Sequence, residues 1–436
     1  MRFLILFFFL FTTFISCKKE CDHPQNPETP NSTCDTSLTP IVMVHGFLAS
    51  GDTWAKQKMR FTANGYCPAN VFVFDWNSLN QNTNTVQLLD DFINQILTET
   101  GKSQVNLVGH SAGGGIGYQY CSDPVRAAKI AHYVHVASSS QSSAAGGGTV
   151  PTLNLWSTSD EVGQAGDISG AINRMLPGQD HYEVATSEAS FLEMYRFFNN
   201  NNEPTVINLP EEENISLSGR VLTLGENQPI SGATVEIYET NPTTGFRVRS
   251  TPDAIISSDA NGLFTGFNAK KNIPYEFFVI TNKPGDRNIH YYREGFTRSN
   301  SLIYLRTLPP SGSTAGLLLS SLPKNDQQSV AVVFSSSQAV VSGRDQLLVN
   351  TRELSTPEIS PASSTNIALF LYDSNNNGQT DMTQPVLFTF TPFLEAVDLF
   401  IPTVNQQTIS CNFNGRLLNM QNWKSDTEGI AIAVFD

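Results

Sequence analysis

One ten-residue stretch constrains the fold more than any other: Val105-Asn106-Leu107-Val108-Gly109-His110-Ser111-Ala112-Gly113-Gly114. A β-branched, leucine-rich strand runs straight into Gly-x-Ser-x-Gly, and helix-compatible sequence follows from Gly115 through Cys121. In that context Gly109 and Gly113 remove Cβ atoms that would collide with neighbouring elements, and Ser111 is forced onto a sharp turn. Its hydroxyl then stands above a sheet edge, beside the free amides and positive dipole end of the following helix. Such a turn needs a parallel sheet beneath it, so strands and helices must alternate on either side.

Residues 38–207 show that alternation. Ile41 to Val44 is a short apolar strand that ends at His45-Gly46-Phe47. A helix is expected from near Asp52, capped by Asp52 or Thr53, to the stop at Asn64-Gly65. Val71 to Phe74 is a buried strand. Val86, Leu89, Ile93, Ile96 and Leu97 share one helical face, closed by Gly101. Pro124 opens a short helix, Ala131 to Val136 and Thr152 to Trp156 are strands, the second taken as the last, and Ser187 to Phe198 is a closing helix. No long insertion interrupts this core, so at most a small lid is expected.

A serine hydroxyl is inert near neutral pH unless a base takes its proton and an acid orients that base. In this topology the acid precedes the histidine. Asp160, four residues beyond Trp156, lies in a loop at the sheet edge that carries Ser111; Glu161 and Asp167 are its rivals. The Ser157-Thr158-Ser159 run offers it donors. His181 sits in the loop before the closing helix and is the candidate base. Of the other histidines, His110 is assigned to the turn, pointing away, and His132 and His135 to a strand core. The amides of Ala112 and Phe47 are the candidate oxyanion donors.

The motifs around His45-Gly46-Phe47, Gly109-His110-Ser111-Ala112-Gly113 and His181-Tyr182-Glu183-Val184-Ala185-Thr186-Ser187 together resemble the small bacterial lipase/esterase group of α/β-hydrolases. Asn64-Gly65-Tyr66, Arg126 to His132 and His290 to Phe296 are similar to an archaeal lipase with a C-terminal β-domain. The resemblance implies carboxylic ester hydrolysis and a β region that assists lipid contact. In that archaeal lipase the acid follows the strand that ends here at Val136-Ala137; Ala137 has no carboxylate, so Asp160 is carried over from the small lipases. A polyester depolymerase or acyltransferase with the same triad, and a surface binding protein on an inactive hydrolase scaffold, are the alternatives.

At 436 residues and 40% hydrophobic content, two or three packed domains are expected, and a net charge of −14 argues against nucleic acid as partner. Residues 1–16 read as a targeting segment: Arg2, then an apolar run from Phe3 to Ile15. Phe14-Ile15-Ser16-Cys17 resembles a bacterial lipoprotein signal, which implies lipidation at Cys17, a tether over 17–37, and an exported, membrane-held protein at the outer membrane or cell surface. Export permits disulfides, with Cys21–Cys34 and Cys67–Cys121 as possible pairs. Oligomeric state has no sequence signal.

Beyond the Asn199 to Pro204 linker the pattern changes to short strands and turns, an all-β region of β-sandwich type. Residues 208–299 carry Ser218-Gly219-Arg220-Val221 and Asp259-Ala260-Asn261-Gly262, similar to carboxypeptidase-regulatory-like sandwiches. Residues 300–436 are either a second β unit or part of one larger β region. No cofactor is required by this chemistry. One loop places Asp373, Asn375, Asn377 and Asp381 around Gly378, which resembles a calcium loop; an Asn-rich hairpin turn fits the same residues.

Overall fold

The computed structural model describes residues 34–80, 84–309, 313–388 and 391–436; the targeting segment, Cys17 and Cys21 lie outside the described residues. The N-terminal part is a six-stranded, all-parallel sheet of β1 (Ile41–Val44), β2 (Val71–Phe74), β3 (Val105–His110), β4 (Ile130–Val136), β5 (Thr152–Trp156) and β6 (Ile172–Met175), in the order β2-β1-β3-β4-β5-β6. Strands β1 and β3 to β5 are buried along most of their length because helices cover both sheet faces. On one face lie α1 (Ala55–Ala63), α5 (Glu183–Thr186) and α6 (Glu188–Phe198), whose Phe61, Val184, Phe191 and Met194 pack on Met43, Val108 and Val134. On the other lie α2 (Thr85–Thr100), α3 (Ala112–Cys121) and α4 (Pro124–Ala127), placing Leu89, Ile93 and Tyr120 against Val42, Leu107 and Tyr133. No helix among the described residues is long and apolar enough to cross a membrane.

Local chemistry explains the helix ends. The Asn84 side chain accepts from Gln87 N and caps α2, which stops at left-handed Gly101 (φ 66°). Ser187 caps α6 by accepting from Ser190 N. The expected Asp52 or Thr53 cap is not used: Gly51–Trp54 forms a 3₁₀ turn ahead of α1, and the Asp52 carboxylate is taken by Arg306 at 2.5 Å. The strand expected to be last is followed by β6, an edge strand whose exposed Ile172 and Met175 leave no apolar run to read.

The β region contains β7 (Ile215–Thr223), β8 (Thr234–Glu239), β9 (Ala254–Ser257), β10 (Leu263–Ala269), β11 (Tyr275–Ile280), β12 (Ile289–Arg293), β13 (Asn300–Thr307), β14 (Val330–Ser335), β15 (Leu347–Val349), β16 (Arg352–Glu353), β17 (Ala368–Tyr372), β18 (Leu394–Asp398), β19 (Thr408–Phe413), β20 (Arg416–Gln421) and β21 (Ile430–Phe435). The central layer is an eight-stranded sheet, β18-β17-β14-β21-β12-β11-β8-β9. Sheet β10-β7-β13 packs over its β8–β12 half, and sheet β16-β15-β19-β20 over the β14–β18 half. A division at 299/300 therefore coincides with no break: β13 pairs with β7, and β21 lies between β12 and β14.

The cysteines also differ from expectation. Cys34 pairs with Cys67, tying the start of the described chain to the loop after α1, while Cys121 and Cys411 are buried free thiols. Burial pushes both thiols up to about 12, so they behave as small apolar groups.

Candidate active site

The turn between β3 and α3 has the geometry its sequence demands. Ser111 sits at φ 53°, ψ −122°, a strained conformation for a side-chain-bearing residue that costs about 1–3 kcal/mol. A Cβ on Gly109 would lie 2.5 Å from Gly113 O, and one on Gly113 2.5 Å from His45 O. Only glycine lets strand, helix and the His45 loop approach this closely. The turn is clamped from β4, where Val136 O accepts from Ser111 N at 2.9 Å, and by Ser138, whose Oγ donates to Ser111 O at 2.8 Å.

Asp160 and His181 come together. His181 Nδ1 donates to Asp160 Oδ2 at 2.9 Å, with both side chains buried. Asp160 Oδ1 accepts from Val162 N at 2.9 Å and Gly163 N at 3.0 Å. Burial opposes ionisation of Asp160, but hydrogen bonds from His181, Gly163 and Val162 outweigh it and hold the carboxyl below its ordinary value. These amides, rather than the Ser157-Thr158-Ser159 hydroxyls, are its donors. The rivals are elsewhere: Glu161 is exposed, and Asp167 accepts from Trp156 Nε1 at 3.0 Å. With Nδ1 donating to the carboxylate, His181 Nε2 is the nitrogen left to accept a proton; it is buried with no hydrogen-bond partner among the described residues.

His110 does not simply point away. Its Nε2 donates to His181 O at 2.9 Å, and its ring lies 4.8 Å from the His181 ring between centroids. Burial, with His181 beside it, pushes His110 down to about 3, so the ring is neutral and acts as a strut for the His181 loop. His132 and His135 are strand residues as expected: His132 Nδ1 meets Asn106 Oδ1 at 2.8 Å, and His135 Nδ1 meets Tyr133 Oη at 2.9 Å.

The segments that carry the candidate oxyanion donors meet at this turn: a Cβ on Gly46 would lie 3.0 Å from Ser111 Cβ. Ala112 opens α3, and neither its N–H nor that of Phe47 donates to a protein acceptor among the described residues. His45 is buried and lies against Trp76, with ring centroids 5.6 Å apart. Its Nδ1 donates to Gly46 O at 2.8 Å, and its O accepts from Trp76 Nε1 at 2.9 Å.

Sequence reasoning missed the contribution of the β region. Phe393, at φ 69°, stacks on His181 with centroids 5.8 Å apart and planes 5° from parallel. The cover over the base thus comes from the chain before β18, not from an insertion in the hydrolase core. Arg344 binds Asp180 at 2.9 Å and Glu183 at 2.6 Å, on either side of the base. Asn227, from the turn after β7, reaches the His45 loop. No local pattern marks any of the three.

The 373–381 loop lies in the β region, and its polar groups answer one another. Asp373 accepts from Asn377 N and Gly378 N, while Asn375 Nδ2 and Asn377 Nδ2 both donate to Asp381 Oδ2 at 2.9 Å. These bonds close the loop on itself, but it leads from β17 to the parallel β18 and is therefore not the hairpin turn that the sequence also allowed; its two Asn side chains direct donors, not oxygens, at Asp381. No group of three or more His, Cys, Asp or Glu able to hold a metal occurs among the described residues.

Residues 39–146 match a family model described as the α/β hydrolase fold, residues 213–310 one described as a lipase C-terminal domain, and residues 328–436 a further C-terminal-domain model. Among solved structures, a predicted CIB-like hydrolase from Thermoplasma acidophilum is 19% identical, covering 38% of this chain and 87% of that one at a TM-score of 0.29. An esterase from Rhodococcus sp. is 14% identical, covering 39% and 94% at 0.30. Lipase B of Aspergillus fumigatus is 15% identical, covering 42% and 57% at 0.32.

Proposed function

We propose that this chain, an α/β hydrolase extended by a lipase-type C-terminal region, cleaves carboxylic esters through Ser111, His181 and Asp160. The observation that carries the reading is the buried His181–Asp160 hydrogen bond, taken together with a serine on a strained strand-to-helix turn. Ser111 Oγ attacks the acyl carbonyl while His181 Nε2 takes its proton. Asp160, held ionised, keeps Nδ1 protonated and steadies the imidazolium that forms. The oxyanion of the tetrahedral intermediate is met by the Ala112 and Phe47 amides, each such donor being worth about 3–4 kcal/mol of transition-state stabilisation. His181 then protonates the leaving alcohol. Water, activated by the same histidine, attacks the acyl-enzyme and releases the acid.

The test is hydrolysis of p-nitrophenyl butyrate by wild type and Ser111→Ala. The variant is expected to lose at least about 10³-fold in kcat; equal rates would remove the serine mechanism. The same reading has the enzyme work outside the cytoplasm, held to a membrane by lipid on Cys17. The Cys34–Cys67 disulfide supports an oxidising location.

A further inference from the structure

We propose that Asn227 is a positioning residue for the oxyanion loop, so that the β region completes the catalytic centre. The proposal rests on the ester-hydrolysis reading above and adds a residue from outside the hydrolase domain. The loop from His45 to Ser50 is not self-supporting. Leu48 is at φ 58°, the left-handed region that disfavours a leucine by about 1–2 kcal/mol. A relaxed Leu48 would turn the Phe47–Leu48 peptide and so re-aim the chain leading back to the Phe47 N–H.

The restraint comes from the turn after β7. Asn227 is buried, at φ 54°, a conformation asparagine tolerates. Its Oδ1 accepts from Ser50 Oγ at 2.6 Å. Its Nδ2 lies 2.9 Å from Ala49 O, 2.9 Å from Trp76 O and 3.2 Å from His45 Nε2. One amide thus grips both ends of the loop and the strand exit beside it. A second tie runs parallel: Leu48 N donates to Ser78 Oγ, which donates to Gly225 O of the same turn. Leu224 packs alongside Phe47 and Leu48.

The chemistry selects an amide. The site needs one acceptor for the Ser50 hydroxyl and two N–H donors for the Ala49 and Trp76 carbonyls, while the neighbouring His45 Nε2 also accepts from Trp76 N at 3.1 Å. His45 Nδ1 donates to Gly46 O, so Nε2 is an acceptor, and burial lowers the His45 pKa and keeps the ring neutral. Aspartate has the same shape but would set a charged oxygen against three acceptors.

Kinetics of the full-length protein on p-nitrophenyl butyrate, with thermal unfolding of each variant, test the proposal. Asn227→Ala and Asn227→Asp are expected to lose about 10- to 100-fold in kcat. KM should stay within about twofold, and an alkyl boronic acid, which forms a tetrahedral adduct on the serine, should weaken in step with kcat/KM. Wild-type kcat in a folded Asn227→Ala, or a loss confined to KM, overturns the inference. Ser111→Ala separates the two ideas: if it is inactive while Asn227→Ala is normal, only this inference fails; if it is active, the hydrolase reading fails. Should Asn227→Ala not fold, Ser50→Ala deletes one arm of the grip and is expected to lose several-fold in kcat; a wild-type kcat there overturns the proposal equally.

Discussion

Asp160 shows how a single side chain sets the chemistry of its neighbour. Its Oδ1 is fixed by two backbone amides, so Oδ2 can only face His181. In the Asp160→Asn variant, the side-chain oxygen would keep those amides and the new NH₂ would face Nδ1. That nitrogen would then have to accept, moving the ring proton to Nε2, where it blocks uptake from Ser111. We expect Asp160→Asn to lower kcat about 10⁴-fold with little change in KM or melting temperature, measured by steady-state kinetics and calorimetry. A normal kcat would remove Asp160 from the orienting role. The position of Asp160 was legible because the topology dictates which loop faces the serine. Its donors were not: Gly163 is placed by a close approach, its Cβ position lying 2.7 Å from Asp160 Oδ2, and no spacing rule encodes that.

At the scale of elements, apolar runs and periodicity revealed what is buried, and little else. α2 was readable because Val86, Leu89, Ile93 and Ile96 face the sheet and Gly101 closes it; its Asn84 cap shows only in the structure. β6 was hidden because an exposed edge strand has no need of an apolar run. The His181 loop was placed, but not its support. Arg344 holds it through Asp180 and Glu183, and Thr186 Oγ1 donates to Ser337 O at 2.5 Å. Burial, then the Asp180 charge, push Glu183 up to about 7, against the pull of Arg344. A carboxyl whose folded pKa lies above its unfolded 4.5 favours the folded state fully below 4.5 and loses that contribution as pH rises toward 7. Melting temperature should therefore fall across this window, and Glu183→Gln should flatten the fall. An identical slope in the variant, by scanning calorimetry, would show that Glu183 does not titrate there.

In the whole molecule, the two added regions each hold one loop of the hydrolase site: the turn after β7 holds the His45 loop, and the chain around Arg344 and Phe393 holds the His181 loop. Ion pairs seal the joint, Arg220 on Asp75 at 2.8 Å and Arg306 on Asp52 at 2.5 Å. These partners are more than a hundred residues apart in sequence, so neither composition nor periodicity could announce them. The proposed lipid attachment at Cys17 is tested on the whole chain too. Labelled palmitate should enter the wild type in bacterial cells and not Cys17→Ser, which should move to the soluble fraction; a labelled or membrane-retained variant would refute the anchor. The order of the central sheet has a temporal consequence. β21 is parallel to both β12 and β14 and separates them, yet it lies far downstream of either. The halves of that sheet stay unjoined until β21 has emerged and docked, and such distant pairings form slowly. A chain in transit across a membrane would therefore hold a serine turn but no finished centre. On the proposed export route, the proposed ester-cleaving activity would wait until β21 closes the sheet.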